Sequence, residues 1–402
     1  MNSIAESYVR LVLEMGQHDA DYVDAYYGPA KWKEEAAKQK KSLEEIKNDA
    51  ALLSSRLERV SKTPDELQRL RQRHLKKQLF SLITRIRVLQ GEKLAFDQES
   101  KGLFDAVAPE YPESHFENAL KEIGTQLPGE GPLQKRYAAF KRDLIIPPDK
   151  LDTVFQTAIR EARKRTLQHI QLPENENFRI EYVHNQPWSG YNWYEGKYQS
   201  LIQINTELPI YIDRAIDLAC HEGYPGHHVY NALLENRLVQ DKGWIEFSVY
   251  PLFSPESFIA EGSANYGIDV AFPGDDRLRF ERDVLFPLAG LDPAKAETYF
   301  KIRNLTALLS HAGNQAARQY LDGKIGREDV VSLLEKYSLM EKERAVQRVS
   351  FIDRYRSYVI NYNLGEDMVR EYVESRAGGN SEKRWQEFER LLSLPFVPSD
   401  LQ

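Results

Sequence analysis

The chain has 402 residues, 42 % of them hydrophobic, which is enough for a sizeable core in one large domain or two of ordinary size. Its 54 basic residues against 61 acidic ones give a net charge of −7, which argues against nucleic acid or an anionic membrane as the main partner. One cysteine, Cys220, excludes a disulfide within the chain and fits a reducing compartment.

Residues 1–170 read as an almost wholly helical N-terminal region. Ile4, Val9, Leu11, Val12 and Met15 recur at helical spacing. Met1 to Gly16 carries charges through its apolar positions and has no basic start before an apolar run, so no secretory signal is expected and the cytoplasm is the expected location. No run reaches the roughly 18–20 apolar residues of a membrane span. A second helix is expected from about Ala30 to Val60, and Thr63-Pro64-Asp65-Glu66 reads as a helix start with Thr63 as the cap. Pro128 to Pro132 is a loop by composition, and Pro147-Pro148-Asp149 opens a helix to about Ile170.

A catalytic region is expected over residues 171–402, integrated with the first. Phe178, Ile180 and Tyr182 alternate with polar residues, and Tyr198 to Asn205 reads as a second strand whose edge is available to an extended peptide. Trp188 to Gly196 between them reads as a turn or short extra hairpin. From Pro255 the pattern is helical again, with helices expected at Glu256–Val270, Pro293–Leu321 and about 327–337, 341–362, 365–376 and 381–393. His311 falls on the long 293–321 helix near Asn314 and Gln315, in a structural role. The fold class is therefore mostly α, with a small β-sheet just before the central motif.

That motif is Cys220-His221-Glu222-Gly223-Tyr224-Pro225-Gly226-His227-His228. Imidazoles beside a glutamate are what a zinc hydrolase needs. The spacing does not suit an ideal helix. Six residues place His221 and His227 roughly 120° apart, and seven place His221 and His228 about 10.5 Å apart along the axis. Pro225 removes the backbone bond to the His221 carbonyl, and Gly226 supplies permissive dihedrals. A two-residue bulge there returns His227, or failing that His228, to the slot one turn after His221. The expected site is one Zn²⁺ ion on His221, His227 and Glu261, with Glu222 as general base toward the attacking water and His228 or Tyr362 as donor to the carbonyl. Glu261 stands out because its neighbours Ala260, Gly262 and Ala264 are small and uncharged, and Asn265, one turn on, is placed to orient a ligand. Arg354, Tyr358 and Tyr362 recur every four residues and are expected on one face of one helix, with Arg354 and Tyr358 contacting substrate. Cys220 and His221 point about 100° apart on a helix and do not pair as nucleophile and base.

His221 to His228 resembles the hallmark of the bacterial family called domain of unknown function 885. Glu261-Gly262-Ser263-Ala264 resembles its second motif, with Ser263 where an aromatic residue is common. Asp19 to Pro29 and Tyr358 to Gly365 are also similar, although Ile352-Asp353-Arg354 stands where the family has a proline-glycine-glutamine start. The resemblance implies a mostly helical, zincin-like metallopeptidase fold of the gluzincin type, similar to carboxypeptidase Taq and the oligopeptidases, with a peptide as substrate. Two other readings share these residues: a binding or scaffold protein on an inactive peptidase fold, and a metal hydrolase of another ester or amide bond.

Overall fold

In the computed structural model, which describes residues 1–61, 63–186 and 188–402, helices supply most of the mass and one hydrophobic core runs from Ile4 to Leu401. The chain is mostly α with small β-sheets. No helix among the described residues is long and apolar enough to cross a membrane.

The N-terminal region is less uniformly helical than its composition suggests. Val23–Tyr26 forms strand β1 after the first helix, Asn2–Met15. The stretch expected as one helix from Ala30 is two, Ala30–Gln39 and Leu43–Glu58. Lys40 turns the chain in the left-handed region at φ 47°, and Ser42 and Glu45 cap the second helix reciprocally. The next helix starts at Glu66. Its cap is Asp65, which accepts from the Gln68 amide, while Thr63 accepts from the Asp65 amide.

Strands β2 (Asn177–Val183), β3 (Gly190–Gly196) and β4 (Gln199–Asn205) form a sheet of order β2-β4-β3, β4 being parallel to β2 and antiparallel to β3. The expected substrate edge at Tyr198–Asn205 is therefore corrected. β4 is the middle strand, with both sides paired, and the residues read as a turn form edge strand β3. Tyr198 itself lies in the β3–β4 turn. Lys197 and Tyr198 both take positive φ, and the buried Glu235 carboxylate holds that turn by accepting from both of their amides. Ile202 and Ile204 pack inward on Phe155 and Leu218, so the sheet lies on the Leu151–Thr166 helix and on the helix entering the central motif. A second, two-stranded sheet pairs β1 with β5 (Val249–Pro251).

Two expected helices are broken. Pro293–Leu321 divides into Ala296–Ala307 and Ala312–Leu321, and His311 sits at the break, its Nε2 2.7 Å from the Asp367 carboxylate. The 341–362 helix ends at Tyr355. Arg356 takes φ 55°, and buried Glu99 ties the break together, accepting from Arg356 Nε and from the Ser357 amide and hydroxyl. A 3₁₀ turn follows, then the Ile360–Ala377 helix.

The Pro255–Ala271 and Ile360–Ala377 helices cross at Gly262 and Gly365. A Cβ on Gly262 would overlap the Gly365 backbone, and one on Gly365 would lie 3.0 Å from the Gly262 Cα and from the Phe258 carbonyl. This approach needs two residues without side chains. Gly262→Ala is expected to lower stability by about 1–3 kcal/mol, the range for overpacking a filled contact. Denaturant unfolding measures it, and an unchanged midpoint would contradict so tight a crossing.

Candidate metal centre

The central motif enters as an α-helix, Asp213–Leu218, and widens to a π-helical turn over Ala219–Gly223. The amide of Tyr224 bonds to the Ala219 carbonyl, and that of Gly226 to the Cys220 carbonyl at 2.9 Å. Tyr224 is extended, the Tyr224–Pro225 peptide is cis, and a new helix runs from His227 to Leu234. The widening begins at Ala219, earlier than the expected bulge at Pro225-Gly226. Gly226 passes so close to the His221 carbonyl oxygen that a Cβ there would overlap it.

This break brings His221 and His227 together, with Nε2 atoms 3.2 Å apart. Glu261, from the Pro255–Ala271 helix, places Oε2 3.3 Å from His221 Nε2 and 3.7 Å from His227 Nε2. Three donors each 2.0–2.1 Å from one zinc ion would stand about 3.3 Å apart at tetrahedral corners. The observed triangle is close to that, and the three residues form a candidate metal site. Glu261 Oε2 is buried and takes part in no hydrogen bond among the described residues. An orphaned carboxylate oxygen facing two imidazole nitrogens is costly unless a cation satisfies it.

Neighbouring groups fix the donors. Asn265 Nδ2 donates to the Tyr362 carbonyl at 2.7 Å, which turns its Oδ1 toward His221 Nδ1, 2.8 Å away. The proton of a neutral His221 then sits on Nδ1, and the Nε2 lone pair faces Glu261. The Tyr358 hydroxyl donates to Glu261 Oε1 at 2.7 Å, leaving Oε2 free. Burial opposes charge on His221, but the Glu261 carboxylate 3.3 Å away and the Glu222 charge override it and raise the imidazole to about 9. Burial likewise opposes charge on Glu261, and the two histidines hold its carboxyl well below the usual range. The field in this corner favours a cation.

All three donors line a cleft of about 860 Å³, together with Glu222, Asn265, Tyr358 and Tyr362. The Glu222 carboxylate rests against Gly190 of β3, where a Cβ would come within 2.9 Å of it, and Asn192 Nδ2 donates to the Glu222 carbonyl at 2.7 Å. The Tyr362 hydroxyl makes no hydrogen bond among the described residues, whereas that of Tyr358 is committed to Glu261.

Two expected site residues lie elsewhere. His228 points away from the cleft and is 0 % exposed, with Nδ1 2.9 Å from Ser200 Oγ and Nε2 2.9 Å from Glu176 Oε2. One residue after His227 on a helix, it faces about 100° away. Serine, histidine and glutamate in contact suggest a nucleophile, yet Ser200 is 1 % exposed and no substrate reaches it. Glu176 also accepts from the Tyr224 hydroxyl at 2.6 Å and from Arg163 at 2.6 Å, so this network ties the sheet to the break in the motif helix. Arg354 pairs with Asp21 at the surface, at 2.6 and 2.8 Å, and does not line the cleft. The break at Arg356 removes it from the face that carries Tyr358 and Tyr362. The Cys220 thiol is buried, and burial pushes its pKa up, which removes it as a nucleophile.

Three contributors escaped the sequence reading. Glu176 lies in a polar loop and resembles a surface residue. Asp24 of β1 lines the cleft and accepts from the Tyr191 hydroxyl. Burial, with the Glu261 and Glu222 charges, pushes its carboxyl up to about 8. Arg348 lines the cleft on the helix preceding the Arg356 break.

No protein-family model matches the chain, and no curated protein matches it. Among solved structures, it is similar to a candidate lipoprotein from Colwellia psychrerythraea, with TM-score 0.53 and 16 % identity over 91 % of this chain and 66 % of that one. A candidate lipoprotein of unknown function from Shewanella oneidensis aligns with TM-score 0.45 and 12 % identity over 90 % and 75 %. The chain spans 66 % of the length of the Colwellia protein, and the likeness is one of fold.

His221→Ala and Glu261→Gln are each expected to abolish stoichiometric metal binding, whereas His228→Ala keeps the ion and loses stability. Mass-spectrometric metal counts and unfolding curves separate the two effects, and loss of metal from His228→Ala would redraw the ligand set. For Glu176, burial raises the carboxyl pKa, but the bonds from His228, Tyr224 and Arg163 prevail and lower it. A depressed folded-state pKa contributes stability above the unfolded value, near 4.3, that is lost as pH falls through the folded value. Glu176→Ala should cost on the order of 3 kcal/mol at neutral pH, as for a broken buried ion pair, and should flatten the acid limb of the stability–pH curve.

Proposed function

We propose that the protein is a zinc-dependent hydrolase of peptide bonds, with His221, His227 and Glu261 as metal ligands. The observation that carries this is the position of Glu222: it follows the first ligand directly and lines the same cleft as the three donor atoms. Two imidazoles and a carboxylate with one side open to a cleft are the donor set of a catalytic zinc site. Zinc bound there would polarise the scissile carbonyl and acidify the attacking water.

The remaining steps belong to the chain's own groups. Glu222 accepts a proton from the water as its oxygen bonds to the carbonyl carbon, then passes that proton to the leaving nitrogen as the C–N bond breaks. The products are a carboxylate and an amine. The Tyr362 hydroxyl is free to donate to the carbonyl oxygen as charge develops there. Tyr358 and Asn265 act through the ligands, holding Glu261 and His221 in place. Ser189 to Asn192 bring edge strand β3 to the cleft, where unpaired backbone groups suit an extended peptide. The likeness of His221–His228 to the motif of domain of unknown function 885 supports the same chemistry. A cytoplasmic setting is part of the proposal and rests on the single buried thiol; the lipoprotein description belongs to the structural relatives.

Glu222→Gln tests the mechanism. It is expected to retain one equivalent of zinc and to lose 10²–10⁴-fold in peptide hydrolysis, the usual share of a general base. Zinc retained with undiminished hydrolysis would remove Glu222 from the reaction.

A further inference from the structure

One wall of the cleft is a face of the Lys342–Tyr355 helix, where Arg344, Arg348, Phe351 and Tyr355 recur every three or four residues. Most of the other cations of the cleft have partners of their own. Lys141 lies 3.7 Å from Asp213, Arg214 3.4 Å from Asp217 and Arg370 2.8 Å from Asp269. Arg344 donates to the Pro209 carbonyl at 2.9 Å, and Arg303, without an ion pair among the described residues, lies in the field of Asp217 and Glu281 rather than that of the metal donors. Arg348 has neither a carboxylate within ion-pair distance nor a hydrogen bond among the described residues. Its guanidinium carbon lies 4.7 Å from the Phe351 ring centroid and 5.7 Å from that of Tyr362. Burial lowers its pKa, and the Glu261 charge acts on it in the opposite direction. An arginine stays charged under such a shift.

Arg348 is half-buried, so its guanidinium stands between aromatic rings on one side and the open cleft on the other, and a bidentate carboxylate is the ligand its planar fork fits. Arg348 also shares its surroundings with the metal donors. It lines the same cleft, its guanidinium faces the Tyr362 ring, and the Glu261 charge reaches it. A carboxylate on Arg348 would thus lie in the cleft that holds the three donors.

We infer that Arg348 binds the free C-terminal carboxylate of a short peptide substrate, so that the cleft selects peptides by their C-terminus. This rests on the hydrolase reading. It replaces Arg354, whose guanidinium Asp21 already occupies, with a cation that has no partner of its own.

The test is calorimetric binding to the zinc-loaded Glu222→Gln protein. The probes are acetyl-trialanine as the free acid, its C-terminal amide, and the amide of acetyl-Ala-Ala-Asp. The free acid is expected to bind at least tenfold tighter than either amide. Adding Arg348→Met should erase that preference with zinc content and circular dichroism unchanged, and Arg348→Lys should restore part of it. Equal affinity for acid and amide, or a preference that survives Arg348→Met, overturns the inference. Tight binding of the aspartyl amide overturns the C-terminal assignment. Cleavage of amidated peptides as fast as free acids by the unmutated protein overturns the inference and leaves the hydrolase reading intact. Zinc-loaded protein that neither binds nor cleaves any peptide of a mixed tripeptide library overturns both.

Discussion

Everything at the cleft depends on the backbone break between Ala219 and His227. A regular helix would hold the two imidazoles apart. The π turn followed by extended Tyr224 and Pro225 lets two helical segments meet at an angle, with their histidine nitrogens 3.2 Å apart. Such a break forfeits helical hydrogen bonds. Part of that loss is offset locally, where the Tyr224 and Gly226 amides find carbonyls five and six residues back. The rest is offset by Glu176, which receives the Tyr224 hydroxyl, His228 and Arg163. His228 and Glu176 thus shape the centre without entering it.

The third donor arrives by packing. Glu261 is carried on a helix that touches its neighbour backbone to backbone at Gly262 and Gly365. That same neighbour supplies the Tyr362 carbonyl that orients Asn265, and the turn before it supplies the Tyr358 hydroxyl that orients Glu261. Ligand geometry and helix crossing are one arrangement. A shift of the crossing moves a donor and its hydrogen-bond partner together. Side-chain constellations on rigid elements hold their geometry in this way.

Charge is divided across the cleft. The side holding Glu222 and Glu261 is negative enough to keep neighbouring Asp24 protonated and suits a cation, whereas Arg348 on the Lys342–Tyr355 helix offers a positive charge with no carboxylate partner among the described residues. Glu99, buried beneath the Arg356 break, holds the turn at the end of this wall. It ends one helix and redirects the next, so that Tyr358 and Tyr362 no longer share a face with Arg354, while the helical turn itself separates Arg354 from Arg348 by about 120°.

How much of this was legible follows from whether a signal is local. Pro225 and Gly226 in a helical context announce a break, because a missing N–H and a missing Cβ act on the chain wherever it folds. Three imidazoles and a carboxylate within eight residues announce metal chemistry, and the small residues around Glu261 announce close packing. Those features located His221, His227 and Glu261, which the structure brings together. Sequence periodicity did not reveal that β4 would be the middle strand, that Glu99 would break a helix more than 250 positions away, or that His228 would be claimed by Glu176 and Ser200. Each of these depends on a partner distant in the chain, and a helical or strand period carries no information about such a partner. The sequence by itself determined the candidate donors and the need for a distorted backbone; the tertiary structure decided which histidine turns inward and which arginines face the cleft, because only packing sets what each side chain meets.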